Sequence, residues 1–547
     1  MNREMTKVSI ISLLLIFIFG IGLRFYYLPY DIPIVSDGFL SFVYAMKTVS
    51  VGELPLDYST TNSGWANLLS LIFTFSDKTD PLDLMNIQRI TSVVFSALTV
   101  FPIFFILKKF VNQNTALLGS LIFIIEPRLL LISIEGINYS LFFLLFSTSI
   151  VFFLKKTYLS FYVSFACIAL ATLVRYEAFL LVIPFTIMYL SRFNDKRSIL
   201  KFLGIISIFV LILVSVGLVR MQATENICVE YTYGNICGEN GFTNQILSGY
   251  EFIYTNFILE NQTEISQELE DYDESDVYVK DTHIVQVIGD SITNLGKFLI
   301  LSLIPYFGFF ILHNVLRRQK EKKIINDFNL KFIIFSSAIM LLPPFYAYMR
   351  GIDEIRYVLI LIPLFCIFSV LFRDSIVQKI FTHKRILLVL VLTPIILSVA
   401  FIEFKKNDDI SNMESFRVAQ EITSLTDITN IYPQSGYVKV AELFNKWPEL
   451  PEPVPSWEIG ITGYLEYEFE KISTKEFDSV EEFIEKNRSR GLEYLVVDNE
   501  TVLFDDLRSD IQDYEYLKKV FDSEELGFKN KFIIYEINFQ KFEEMNS

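Results

Sequence analysis

The chain alternates between long apolar runs and short polar breaks. The runs hold 13 to 21 residues, close to the roughly 20 that cross a bilayer as a helix. The pattern predicts about eleven such spans. They are Val8 to Leu28, Ile90 to Leu107, Ala116 to Leu131, Ser140 to Leu154, Tyr158 to Val174 and Ala178 to Leu190. Phe202 to Leu218, Phe298 to Leu312, Phe332 to Tyr348, Val358 to Phe372 and Ile386 to Phe404 complete the set. The first follows Arg3 and Lys7, lacks a small-x-small cleavage site and runs on into Arg24-Phe25-Tyr26, so it reads as a retained span.

The breaks carry their charge unevenly. With the N-terminus inside, the inner loops hold Lys108-Lys109, Lys155-Lys156, Arg192 to Lys201, Arg317 to Lys323 and Lys379 to Arg385. The loop at 220–297 falls outside, rich in Asp and Glu and poor in Lys and Arg. The short apolar run Trp65 to Phe75 has no basic flank and is read as an interfacial helix, so 29–86 forms a first outer loop lying on the surface. A twelfth span there would invert every later loop.

From about Glu403 the pattern changes. Strand-like runs appear at Tyr494 to Val497 and Phe532 to Tyr535, with helical patterns at Val480 to Asn487 and Asp513 to Val520. Strands alternating with helices predict a small α/β domain. The expected fold is a polytopic α-helical membrane domain over 1–403 and an extracytoplasmic α/β domain over 404–547.

Composition narrows the function. The chain is 52% hydrophobic with a mean hydropathy of +0.41, which agrees with a membrane protein. A net charge of −16 argues against a nucleic-acid partner. Four cysteines with no C-x-x-C pair make no disulfide framework, although Cys228 and Cys237 share the acidic outer loop and are as readily a disulfide as two free thiols. Three histidines offer little for a metal, and His283 reads as an ordinary loop residue. Sequons at Asn261, Asn487 and Asn499 fall on the expected outer side.

The candidate chemistry sits at outer helix ends. Asp37 follows the break at Pro29 and Pro33. Glu126-Pro127-Arg128, Glu135, Arg175-Tyr176-Glu177, Arg350, Asp353-Glu354 and Arg356-Tyr357 fall on the same side by the predicted topology. Arginine grips phosphate through two parallel hydrogen bonds, and a carboxylate can take a hydroxyl proton. Together they suit a lipid-phosphate donor and a hydroxyl acceptor. The plainer alternatives are interfacial charges that snorkel, and local pairs such as Arg175 with Glu177 or Arg356 with Asp353 or Glu354.

In this order the motifs resemble the GT-C superfamily of polyprenyl-phosphate-dependent glycosyltransferases. The branch resembled is the protein O-mannosyltransferase-like and lipid A aminoarabinose transferase-like one, in prokaryotic, archaeal included, form. The residues concerned are Asp37, Gln88-Arg89-Ile90, Glu126-Pro127-Arg128-Leu129-Leu130 and Ser133-Ile134-Glu135-Gly136, then Thr172 to Ala178 and Glu354-Ile355-Arg356-Tyr357 to Pro363. The resemblance implies transfer of a sugar, hexose or mannose, with inversion, from a dolichyl- or undecaprenyl-phosphate donor. The acceptor would be a hydroxyl on a protein or glycolipid of the cell envelope. It implies Asp37 as base, Glu135 as second acid, and Arg128, Arg175 and Arg356 as donor-phosphate residues, supported by Glu126, Asn138, Tyr176, Glu177 and Tyr357. The family's second acidic position falls on Asn138, and Glu135 is expected to substitute from the same helix face. Asp37 and Glu135 leave room for a shared divalent cation, Mg or Mn, without a dedicated ligand set.

Oligosaccharyltransferase catalytic subunits share the early fold but carry Trp-Trp-Asp-x-Gly, where this chain offers Ser456-Trp457-Glu458-Ile459-Gly460. A transporter is the non-enzyme alternative, but transporters keep their ionisable residues near the midplane. An inactive scaffold or binding protein is the other, should Asn138 mark lost activity.

Overall fold

The computed structural model describes residues 6–52, 63–193, 196–224, 284–303, 328–349, 354–370, 395–406, 412–417, 479–488, 494–497, 514–529 and 533–546, with a few single positions between them. The expected spans at 298–312 and 386–404 are therefore seen in part. Cys228, Cys237, Arg350, Asp353, Trp457 and the sequons at Asn261 and Asn499 lie outside the described residues. The chain divides into two compact units. One comprises 1–28, 59–68 and 89–401, the other 29–58, 69–88 and 402–547.

The first unit is helical. α1 (Lys7–Tyr26) starts at Thr6, whose hydroxyl accepts from the Ser9 N–H, and is apolar on nearly every face. At about 1.5 Å per residue its length matches a bilayer core of roughly 30 Å. It crosses close to the sixth helix, since a Cβ on Gly20 would lie 2.2 Å from Ile124 Cγ1. Only a residue without a side chain fits there.

In chain order, α2 (Ser36–Val51), α3 (Gly64–Thr74), α4 (Pro81–Leu98), α5 (Val100–Leu107) and α6 (Gln113–Ile124) follow. Next come α7 (Pro127–Ile134), α8 (Tyr139–Lys155) and α9 (Tyr158–Val174). A 3-10 turn (Tyr176–Leu181) leads into α10 (Val182–Arg192) and α11 (Lys196–Thr224). The unit continues with α12 (Ile284–Ser302), α13 (Phe328–Met340), α14 (Leu342–Met349), a 3-10 turn (Ile355–Leu361) and α15 (Ile362–Val370). Among the described residues four helices are long and apolar enough to cross a membrane, five if α6 and α7 count as one broken span. Gly64–Thr74, Tyr139–Lys155, Tyr158–Val174 and Ile355–Ser369 are shorter apolar helices.

The predicted spans meet this structure in instructive ways. Tyr158 to Val174 is a helix with the expected ends, because Thr157 and Ser160 form a capping box at its start and Arg175 turns extended at its close. The predicted span Ala116 to Leu131 is two helices bent by 50° at the Glu126-Pro127 turn. Pro127 has no N–H and pushes Glu126 out of helical geometry (φ −60°, ψ 120°), and the Glu126 side chain then caps α7 by accepting from Leu129 N–H at 2.7 Å. The span Phe332 to Tyr348 breaks at Leu341, before Pro343 and Pro344. The predicted interfacial run at Trp65 is helical as α3, with Trp65 fully buried.

In the second unit, α2 begins after extended Val35 and stops on Gly52, whose left-handed φ of 75° ends it. Ile34 N–H donates to Met85 Sδ (3.3 Å), Gln88 Nε2 to Gly38 O (2.9 Å), and the Phe42 and Phe73 rings meet at 5.8 Å.

The same unit contains α16 (Val480–Arg488), β1 (Tyr494–Val497), β2 (Leu517–Asp522), β3 (Ile533–Ile537) and α17 (Phe539–Asn546). The strands form an antiparallel sheet in the order β1-β3-β2. Phe483, Ile484, Leu495, Val497, Tyr535, Ile537 and Phe542 are among its core residues. One expectation fails here. Of the run expected as a helix at Asp513 to Val520, the described part from Tyr514 is not helical but leads into β2, which pairs Leu517 with Ile537 and Lys518 with Glu536 across β3. A free edge on β3 outweighed a weak local helix pattern, and the Lys518–Glu536 ion pair at 3.0 Å closes the register.

Candidate functional site

The site builds on the end of α9. Arg175 closes that helix by donating its backbone N–H to Ala171 O, then turns extended (φ −149°, ψ 121°), so its side chain leaves the helix direction. Its guanidinium meets three partners. Nη2 donates to Glu177 Oε1 at 2.5 Å, Nη1 to Asn138 Oδ1 at 3.3 Å, and Cζ sits 4.0 Å from the centre of the Tyr139 ring. Asn138 Nδ2 donates in turn to Val174 O at 3.3 Å. The side chains of Arg175 and Glu177 are 13% and 2% exposed, so this is a buried ion pair. Arg175 Nε and Glu177 Oε2 have no hydrogen-bond partner among the described residues.

Tyr139 ties a second arginine to the cluster. Its hydroxyl donates to the backbone oxygen of Arg356, at the start of the 3-10 turn before α15, at 3.3 Å. The Arg356 side chain pairs through Nε with Glu354. This pair differs from the first in its wetness, at 37% and 47% exposed. Tyr348 steadies it by donating to Glu354 O at 3.1 Å.

A helix of the predicted outer loop backs the cluster. A Cβ on Gly64, at the start of α3, would lie 2.6 Å from Leu173 O, so the chain there packs directly on the last turn of α9. The adjacent Trp65 donates from Nε1 to Gly136 O at 3.1 Å, on the left-handed glycine (φ 74°) of the α7–α8 turn. Arg89 Nε donates to Ile134 O and the Ser92 hydroxyl bonds that of Ser140, which fix the same turn to α4.

The structure thus brings Asn138, Arg175, Glu177 and Arg356 together. It places the other expected residues elsewhere. Arg128 is stacked over Phe401 (4.5 Å). Glu126 is fully buried as the α7 cap. Glu135 is exposed at the C-terminal end of α7, and Tyr176 is also exposed. Tyr357 is half-buried, with Arg356 Cζ 5.6 Å from its ring. Asp37 is exposed in the first turn of α2, in the second unit. Among the described residues no three His, Cys, Asp or Glu side chains gather to hold a metal ion.

Two participants escaped sequence reasoning. Tyr139 looked like one more aromatic residue at a helix start. Arg24 passed as a flank of the first span. It is fully buried, donating to Ser133 Oγ (3.1 Å), Gly20 O (3.0 Å) and Ile124 O (3.1 Å). It therefore holds α1 against both sides of the α6–α7 break. An arginine in the last turn of an apolar helix was the available signal.

Neither the family models nor the curated proteins contain a match. The chain is similar to solved structures of the oligosaccharyltransferase of Archaeoglobus fulgidus. One is its apo form, at 11% identity and a TM-score of 0.44, covering 90% of this chain and 69% of that one. A second is archaeal AglB from the same organism, in complex with an inhibitory peptide and a dolichol-phosphate, at 12% identity and a TM-score of 0.49 over the same shares. A third is the complex with Zn and sulfate, at 11% identity and a TM-score of 0.44, over 89% and 68%.

Proposed function

We propose that the chain is a membrane glycosyltransferase that moves a sugar from a polyprenyl-phosphate donor to an acceptor hydroxyl. One observation carries the reading: a buried, immobilised arginine and a half-exposed one whose carboxylate partner is itself exposed share Tyr139 at adjoining helix breaks. A phosphate of a lipid donor needs a cation that can exchange partners, and Arg356 is built for that. Its carboxylate partner Glu354 is wet, so exchanging it for a phosphate costs little desolvation. Arg175 cannot swing free of Glu177, Asn138 and Tyr139 without stranding a buried carboxylate, so its role is to position the cluster and supply fixed positive charge. Arg128, stacked on Phe401, is the weaker donor-phosphate candidate.

Asp37 is assigned the base. It takes the proton of the acceptor hydroxyl as the oxygen attacks the anomeric carbon. The bond from that carbon to the phosphate oxygen breaks, its electron pair stays on the phosphate, and the configuration inverts. The products are the glycoside and the polyprenyl phosphate, whose developing charge Arg356 offsets. Glu135 is the exposed carboxylate left to act as second acid, alone or with a divalent cation. Asn138 is committed to Arg175 and Val174, which suits a positioning role. Mannose or another hexose on dolichyl or undecaprenyl phosphate is the donor expected, with a protein or glycolipid acceptor outside the membrane. The amide at Asn138 also favours a second reading, a binding protein that has lost transfer.

The test is sugar transfer in isolated membranes from radiolabelled polyprenyl-phosphate hexoses. Asp37→Asn should lower transfer about a thousandfold, and Arg356→Ala should chiefly raise the donor KM. Equal transfer by wild type and Asp37→Asn removes Asp37 from the chemistry. No transfer from any donor, with the protein inserted and folded, favours the binding reading.

A further inference from the structure

Two tyrosine hydroxyls reach alternate backbone carbonyls on either side of Ile355. Tyr139, the first residue of α8, donates to Arg356 O at 3.3 Å. Tyr348, in the last turn of α14, donates to Glu354 O at 3.1 Å. Glu354 is extended (φ −115°, ψ 131°), and the 3-10 turn that carries Arg356 starts directly after it. The Glu354 side chain goes to Arg356 instead of capping that turn. The start of the turn is therefore held by its backbone, from two different helices.

Both rings are buried and packed. Arg175 Cζ stands 4.0 Å from the centre of the Tyr139 ring, and Phe143, one helical turn on, lies 5.8 Å from it. Phe298 of α12 lies 5.2 Å from the Tyr348 ring. A buried phenol is rigid through its ring and keeps one polar handle, so its hydroxyl marks a fixed point. Two fixed points, on carbonyls 354 and 356, set where the Arg356 backbone lies. Its half-exposed side chain starts from that place.

We propose that Tyr139 and Tyr348 are positioning residues that set the affinity for the donor phosphate by holding the backbone of Arg356. The inference rests on the reading of Arg356 as a donor-phosphate residue. Gripping phosphate through two parallel hydrogen bonds needs the guanidinium placed to within about 0.5 Å. An arginine on a loose backbone loses more freedom on gripping a ligand than one on a pinned backbone, and that loss weakens binding. Replacing either tyrosine by phenylalanine leaves the ring in its packing and releases only the carbonyl.

The experiment measures binding of radiolabelled undecaprenyl phosphate to the purified full chain in phosphatidylcholine nanodiscs. Affinity is read separately from capacity, because unfolded chain lowers capacity alone. Tyr139→Phe and Tyr348→Phe should each weaken affinity about fivefold, the order of one net hydrogen bond. Tyr139→Phe/Tyr348→Phe should weaken it about 25-fold. Tyr189→Phe is the control. It removes a buried hydroxyl bond of the same kind, to Ser198 O at 3.2 Å between α10 and α11, and should leave affinity unchanged. In an Arg356→Ala background the Tyr139 and Tyr348 variants should add nothing. Wild-type affinity in both variants, with Arg356→Ala weakened, overturns the proposal and leaves the reading of Arg356 standing. Wild-type affinity in Arg356→Ala, or no binding by wild type, overturns both. Equal weakening by Tyr189→Phe, or further weakening in the Arg356→Ala background, marks general loosening and overturns the proposal.

Discussion

Glu177→Gln and Arg175→Met should show that the buried pair acts as one unit, with unequal costs. The pair meets at 2.5 Å, with side chains 2% and 13% exposed. Breaking such a pair from one side costs about 3 to 5 kcal/mol, because the remaining charge stays buried without compensation. The structure orders the two variants within that range. Without the Glu177 charge, Arg175 keeps Asn138 and the Tyr139 face, so the cost should lie near 3 kcal/mol. Without Arg175, Glu177 loses the partner of Oε1 while Oε2 has none among the described residues, so the cost should approach 5 kcal/mol. The double variant Arg175→Met/Glu177→Leu removes both charges and should cost well under the sum. Equilibrium unfolding in mixed dodecyl maltoside and SDS micelles, with each chain purified intact, measures all three. Additivity within about 0.5 kcal/mol would refute the coupling, and a costlier Glu177→Gln would refute the partner arithmetic.

Glu354→Ala should lower the donor KM, because it removes the partner that competes with phosphate for Arg356, whereas Arg356→Ala raises it; steady-state transfer kinetics distinguish the two. Gly64→Ala should cost about 1 to 3 kcal/mol in the same micelle assay, since its Cβ meets the backbone of Leu173 at 2.6 Å, and transfer should fall as the Arg175 turn shifts. Arg24→Met should loosen the α6–α7 break, detected as faster hydrogen exchange at Leu129 and Leu130 while α9 amides stay unchanged. In the sheet, burial pushes the Tyr535 hydroxyl up to about 12, and burial, then Glu481, pushes Tyr516 upward as well. The folded state therefore keeps protons that the unfolded chain releases above about 10. Sheet stability should be level below that pH and fall between pH 10 and 12. Hydrogen exchange of the β3 amides across this range measures it, and a rise in protection would contradict the sign.

The sequence by itself determined where some of the helices lie, because an apolar run and its local caps need no distant partner. Tyr158 to Val174 carries its own start in Thr157 and Ser160 and its own stop in Arg175. The Pro127 break, too, is written locally, although a run of apolar residues concealed it. The short loops named Arg175 and Arg356 as cations of interest. They could not say that one is buried and the other half-exposed, because that difference lies in packing against elements far along the chain. Tyr139 meets Arg175 after 36 residues and the Arg356 carbonyl after 217, and Gly64 touches the end of α9 across more than a hundred. Arg24 became a buried clamp only once α1 crossed the broken helix. β2 became a strand only because β3 offered it an edge. Hydrophobic period and capping act within a few residues, while pairing of charges and closure of a sheet depend on which surfaces the packed helices and strands bring face to face.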